Sequence, residues 1–109
     1  MSQPRTLTKV SDLDHLPFPP GRVSKQVFEA DGVELRHYAP KGLDNQVPHD
    51  RDELYFVISG TGTFKREAEK VPCGPGDVLF VAAHEDHRFL DFSPDFQVWV
   101  VFYGPVRPK

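Results

Sequence analysis

The chain has only one cysteine, Cys73, among its 109 residues. A disulfide within one copy is therefore excluded, which fits a reducing compartment. Apolar runs are short as well, because none approaches the roughly 18 residues of a membrane-spanning helix. The beginning of the chain, MSQPRTLTK, has no apolar core of the kind that a signal peptide needs. We expect a soluble, cytoplasmic protein that does not enter a membrane.

An excess of basic residues is also lacking. The chain has 13 Lys and Arg against 16 Asp and Glu, which gives a formal net charge of -3 at pH 7. Such a chain offers no basic surface for phosphate contacts, so we expect no nucleic-acid partner. Its length is typical of a single domain that buries a core of its own. Stability then does not depend on a metal, and any bound metal serves the function.

Helical periodicity over ten or more residues is absent too. From residue 25 onward, short β-prone runs alternate with turn residues, and Asp31-Gly32 between two such runs is a strong hairpin signal. Residues 65–70, KREAEK, are interpreted as an exposed hairpin tip, and residues 72–76, PCGPG, as a turn. Many short strands with Gly and Pro turns predict an all-β sandwich or barrel over residues 25–109.

Residues 1–24 differ from the rest because they are polar and rich in proline, with LPFPPG at 16–21. Proline has no N–H to donate, so this stretch is excluded from a helix or a central strand. We expect an N-terminal arm that is loose, or that lies along the surface or a neighbouring subunit.

The five histidines carry the most evident chemistry. For His15, in the arm, and His37, on a strand, a surface or structural role is the simpler interpretation. Side chains alternate along a strand, so His49 and Glu53 share one face, which Tyr55 continues. Taken alone, His49 and Glu53 are either two metal ligands or a hydrogen-bonded pair at the rim, and the rim pair is the simpler interpretation.

His84 and His87 lie three residues apart, in what is predicted to be a turn between two strands. They need not point the same way, because His84 falls in the turn and His87 begins the next strand. A turn histidine is usually exposed to solvent, which is the simpler interpretation of His84.

Two motifs resemble those of the cupin superfamily. Residues 48–60, PHDRDELYFVISG, are similar to the first motif, G-x5-H-x-H-x(3,4)-E-x6-G, with His49 at the second histidine, Glu53 at the glutamate and Gly60 at the closing glycine. Residues 74–91, GPGDVLFVAAHEDHRFLD, are similar to the second motif, G-x5-P-x-G-x2-H-x3-N, with His87 at its histidine. Together the motifs cover about residues 46–91.

The chain departs from these motifs at several positions. Val47 stands where the first histidine would be, and Asp91 stands where the second motif ends in asparagine. Ala82 and His84 replace the proline and the glycine of P-x-G.

The resemblance implies three metal ligands rather than four, namely His49, Glu53 and His87. Gln46 is a candidate fourth ligand, provided that Pro48 produces a local bulge. Two imidazoles and a carboxylate are typical of non-haem Fe(II) sites, but Mn, Ni, Co or Zn fits the same set.

The resemblance further implies a cupin-type double-stranded β-helix (jelly-roll) barrel of the small, single-domain kind, usually a homodimer. A metal-dependent enzyme acting on a polar organic small molecule is the first functional hypothesis. Dioxygenase-like chemistry ranks first within it, and an isomerase or a lyase is also compatible. His84 and Tyr55 are the candidate catalytic residues. The alternative is a non-catalytic cupin that binds or senses a small molecule and has a weakened or absent metal site.

Overall fold

A computed structural model of the chain describes residues 3–15, 24–44 and 46–109. Residues 16–23 of the predicted arm therefore lie outside the described part. A short 3-10 helix precedes the strands, and the described elements are the 3-10 helix Val10–His15, β1 Ser24–Ala30, β2 Val33–Tyr38, β3 Asp52–Ser59, β4 Gly62–Arg66, β5 Glu69–Cys73, β6 Val78–Val81, β7 His87–Leu90 and β8 Gln97–Tyr103. No helix among these residues is long and apolar enough to cross a membrane.

The strands form two antiparallel sheets, which confirms the predicted all-β class. The larger sheet has the order β1-β2-β8-β3-β6, and the smaller one has the order β5-β4-β7. Both sheets contribute side chains to one core, in which the Tyr55 ring of β3 packs against Phe64 of β4 and Phe89 of β7. The candidate site therefore lies between two sheets, with residues of both around it.

Strand alternation decides which side chains enter this core. On β8, Val98 and Val100 are buried in the core, whereas Trp99 between them faces outward. The Trp99 ring makes a T-shaped contact with the His37 ring. The predicted hairpin between β1 and β2 is confirmed, and Gly32 occupies its turn with a φ of 78°. Glycine suits this position because positive φ strains residues that carry a Cβ.

The predictions for residues 65–76 are partly wrong. The hairpin tip is confined to residues 67–68, and the chain then forms β5, in which Pro72 pairs with Thr63. Pro72 is tolerated because β5 is an edge strand, where a missing N–H costs no ladder hydrogen bond. Only the end of the predicted PCGPG turn remains a turn, at residues 75–76.

The described part of the N-terminal arm contacts the β-sheet domain. Leu13 of the 3-10 helix is buried, and its carbonyl accepts a hydrogen bond of 2.9 Å from Lys25 Nζ on β1. This helix, which has only six residues, was not predicted from the sequence. The division into an arm, residues 1–24, and a domain, residues 25–109, stays a prediction.

Candidate metal centre

Three side chains with metal-binding chemistry meet between the two sheets. Glu53 points inward from β3 with Tyr55 and Val57, because alternate residues of a strand share one face. His87 is the first residue of β7 in the other sheet, and His49 lies in the loop just before β3. Strand alternation therefore positions Glu53 but not His49, which the loop brings next to it, and the packing of the sheets adds His87.

The three side chains are close enough to hold one ion. His87 Nε2 lies 2.9 Å from Glu53 Oε1, and His49 Nδ1 lies 3.2 Å from the same oxygen. One potential ligand atom from each residue lies within 4.8 Å of the others. Glu53 and His87 are fully buried, whereas the side chain of His49 is 33% exposed. The group therefore opens to solvent on the His49 side.

The hydrogen bonds of His87 fix which of its nitrogens is available to a metal. Nδ1 lies 2.9 Å from the carbonyl oxygen of Glu85, and a carbonyl only accepts, so Nδ1 carries the hydrogen and donates. In a neutral ring Nε2 then bears the lone pair. Such a backbone partner is the usual way in which a metal-binding histidine is oriented.

Two buried atoms of the group lack a hydrogen-bond partner, namely His87 Nε2 and Glu53 Oε2. The contact between His87 Nε2 and Glu53 Oε1 is therefore close without being an aligned hydrogen bond. Two lone-pair atoms at this distance repel each other unless a proton or a cation lies between them. The residues present thus fit a divalent metal, since imidazole and carboxylate are ligands that such ions accept.

The charges of the group favour an ion pair when no metal is bound. Burial lowers the pKa of His87, but the close Glu53 carboxylate outweighs it, so this pKa is raised overall. Burial raises the pKa of Glu53, yet the hydrogen bond from His49 and the close imidazole of His87 outweigh it, so this pKa is lowered overall. His87 therefore binds a proton more readily than a free imidazole does, and a metal competes with that proton.

Aromatic rings enclose the inner side of the group. The His49 ring lies 5.1 Å from the Phe102 ring, and the His87 ring lies 6.1 Å from Tyr55 and 6.4 Å from Phe64, measured between ring centroids. These rings exclude water from the buried side of the carboxylate, which strengthens electrostatic interactions there.

Gln46 and Val47, at the start of the first motif, differ in their surroundings. Val47, in the position of the missing histidine, is 69% exposed. The Gln46 amide is partly buried and bonded at both ends, because Nε2 donates to Asp44 Oδ2 at 2.8 Å and Oε1 accepts from the Tyr55 hydroxyl at 3.0 Å. Gln46 as a fourth ligand stays a prediction.

The two candidate catalytic residues occupy different environments. Burial, together with the charges of Glu53 and Asp44, raises the pKa of Tyr55 well above its ordinary value, so Tyr55 keeps its proton. His84 lies in the predicted turn, where its backbone N–H donates to the His49 carbonyl at 2.7 Å. Its ring Nε2 donates to the Arg107 carbonyl of the C-terminal tail. In a neutral ring its Nδ1 therefore bears the lone pair.

His37 lies apart from this group. His37 is buried and its Nε2 lies 2.8 Å from Gln97 Oε1, which supports the predicted structural role. The side chain of His15 lies outside the described part of the chain.

Comparison with known proteins identifies the family. The family model Cupin_2, described as Cupin domain, matches residues 34–95, which is more than half of the chain. The chain belongs to the cupin family.

Individual relatives agree with this assignment. The chain is 40% identical over 62 residues to an uncharacterised protein of Streptomyces coelicolor, over 57% of this chain and 59% of that protein. It is 32% identical over 89 residues to a glucose-6-phosphate isomerase of Thermococcus gammatolerans, over 77% of this chain and 41% of that protein. The chain thus spans about half the length of these curated relatives.

A solved structure of a Cupin 2 conserved barrel domain protein from Salinispora arenicola has the same fold. It matches with a TM-score of 0.69 at 15% identity, over 95% of this chain and 90% of that chain. The predicted cupin-type double-stranded β-helix fold is confirmed.

Proposed function

We propose that the protein is a metal-dependent cupin enzyme that isomerises a small polar carbonyl compound of the hydroxy-aldehyde or hydroxy-ketone type. His49, Glu53 and His87 would hold the ion, which is Fe, Mn, Ni, Co or Zn. The observation that carries this proposal is the buried contact of 2.9 Å between His87 Nε2 and Glu53 Oε1, with Nδ1 committed to the Glu85 carbonyl. The similarity to a glucose-6-phosphate isomerase favours isomerase chemistry over the dioxygenase-like chemistry that the ligand types alone suggest.

A metal held by three protein ligands has open positions, and when bound it acts as a Lewis acid on a carbonyl oxygen. The buried aromatic side of the site excludes water, so the substrate approaches from the His49 side, where the site is open. Isomerisation also needs a proton to leave the carbon next to the carbonyl and to return to its neighbour. His84 Nδ1 is the proposed proton acceptor, whereas the buried Tyr55 hydroxyl donates its single proton to Gln46 and is not proposed to bind the substrate.

Deuterium exchange tests the proposed chemistry. We expect protein loaded with Mn, Co or Zn to incorporate deuterium at the carbon next to the carbonyl of glucose 6-phosphate or fructose 6-phosphate in D2O, as observed by NMR. The exchange should persist without O2 and should be lost in His87→Ala. Product formation that requires O2 would instead support a dioxygenase.

The non-catalytic alternative has one specific observation in its favour. Val47 is exposed and carries no ligand atom, so the ion has one histidine fewer than the family motif provides. A protein that binds these sugar phosphates by calorimetry, yet shows neither exchange nor product with any of the metals, is a binding or sensing cupin.

We also propose that the protein forms a homodimer through the outer face of the larger sheet. Phe56 of β3 pairs in register with Val78 of β6, and Phe80 lies next to them. Val78 is 56% exposed and Phe80 43% exposed, and β6 is an edge strand. The outward residues of this strand carry no charge. We therefore expect the same apolar face of a second copy to pack against them.

Light scattering tests the dimer. We expect twice the chain mass of 12.4 kDa for the wild type and a monomer for Phe80→Lys, which buries a charge in the interface. Metal content serves as the control, because Phe80 faces away from the site. A monomeric wild type at micromolar concentration would contradict this proposal.

A further inference from the structure

A second buried carboxylate lies close to the proposed metal site. Asp44 is 1% exposed and follows β2 in the chain. Its Oδ1 accepts from the Tyr38 hydroxyl at 2.5 Å and from the Gln46 backbone N–H at 3.2 Å. Its Oδ2 accepts from the Phe89 backbone N–H at 2.7 Å and from Gln46 Nε2 at 2.8 Å. Four donors satisfy a buried charge that would otherwise be costly.

This carboxylate determines the orientation of the Gln46 amide. A carboxylate only accepts hydrogen bonds, so the NH2 end of the amide must face Asp44. The oxygen end then faces Tyr55 and accepts the proton of its hydroxyl. A reversed amide would place two acceptors against each other at Asp44, and Gln46 would become a donor to Tyr55.

The Tyr55 hydroxyl lies near a second acceptor. Tyr55 and Glu53 are alternate residues on the inward face of β3, and the nearby charge of Glu53 is one of the causes, after burial, that raise the pKa of Tyr55. The hydroxyl has a single proton, so only one of the two acceptors receives it fully. Glu53 Oε2 is buried and has no hydrogen-bond partner, which matches a proton held on the Gln46 side.

We propose that Asp44 is a positioning residue that acts through Gln46, holding the Tyr55 hydroxyl proton away from Glu53 so that this carboxylate is free to bind the metal. This inference rests on the proposed metal site and assigns Gln46 a role other than that of a fourth ligand. Asp44 also accepts the hydrogen bond of the Phe89 backbone N–H. It thereby links the loop that carries His49 to β7, the strand that carries His87.

The test measures Co²⁺ affinity by calorimetry in Gln46→Leu, in Tyr55→Phe and in the double variant. We expect Gln46→Leu to weaken binding about tenfold, because the Tyr55 hydroxyl then donates to a Glu53 oxygen and competes with the ion for that oxygen. The double variant should bind within about threefold of Tyr55→Phe alone, since no hydroxyl proton remains to compete. Asp44→Asn should also bind Co²⁺ more weakly than the wild type. Combining it with Tyr55→Phe should remove most of this loss.

Gln97→Leu is the matched control, because Gln97 bonds His37 instead of a residue of the site. It should bind Co²⁺ as the wild type does, and thermal unfolding checks that each variant is folded. Unchanged affinity in Gln46→Leu would overturn the inference. A double variant as weak as Gln46→Leu would also overturn it, and would favour Gln46 as a ligand. A wild type that binds no Co²⁺ would overturn the metal proposal itself.

Discussion

His87→Ala is expected to lower the affinity for divalent metal by at least about a hundredfold, measured by calorimetry with Co²⁺ or Zn²⁺. Loss of a residue that only orients a ligand already costs 10–100-fold, and His87 is a proposed ligand itself. The substitution leaves His49 and Glu53 as the remaining proposed ligands, one of them partly exposed. Two ligands hold an ion far less tightly than three.

The same variant should remain folded but become less stable. In the wild type the buried Glu53 carboxylate contacts His87 and His49, and the variant removes the fully buried partner. Removal of one member of a buried ion pair costs about 3–5 kcal/mol, and protonation of Glu53 limits this loss. Urea unfolding measures the change.

His37→Ala is the matched control for this experiment, because His37 is also a buried histidine but lies on the other side of the larger sheet. It should lose stability without losing metal affinity. Equal metal affinity in His87→Ala and the wild type would show that His87 is not a ligand.

Gly60→Ala is expected to destabilise the protein by about 3 kcal/mol or more in urea unfolding. A Cβ at this position would lie 2.6 Å from Phe96 Cα, 2.8 Å from Phe96 N and 2.6 Å from Ser93 Oγ. Backbone atoms are in the way, so rotation of a side chain cannot relieve the contact. The φ of 78° adds its own cost for any residue with a Cβ.

Gly76→Ala separates these two causes. Gly76 has a φ of 88°, but a Cβ there would meet no atom within 4 Å. It should therefore lose only the conformational part, about 1–2 kcal/mol. Equal losses of stability in the two variants would contradict the steric explanation for Gly60. Gly60 is the closing glycine of the first motif.

Local patterns predicted much of this protein because the relevant signals lie within single strands. Alternation along β3 predicts that Glu53, Tyr55 and Val57 share a face, and the structure buries all three. Asp31-Gly32 likewise predicts the β1–β2 hairpin from the demands of its own turn. The third proposed ligand, His87, was predicted from the resemblance of residues 74–91 to the second cupin motif. Strand spacing alone does not say which strands face each other.

The burial of Asp44 near the site could not be predicted from local sequence patterns. A loop aspartate is usually exposed, and the burial of Asp44 depends on Tyr38 nearby and on Phe89, which is far from it along the chain and belongs to the smaller sheet. β5 was missed for a related reason: Pro72 is acceptable in a strand only at a sheet edge, and edges are a property of the assembled fold.

The metal content of wild-type protein purified without a polyhistidine tag tests the central claim most directly. It should be followed by thermal unfolding with added Fe²⁺, Mn²⁺, Ni²⁺ or Zn²⁺. We predict about one equivalent of metal per chain, or a clear rise in Tm with at least one ion, because an ion that binds only the folded state stabilises it. Less than about a tenth of an equivalent, with no change in Tm for any ion, would contradict a metal held by His49, Glu53 and His87.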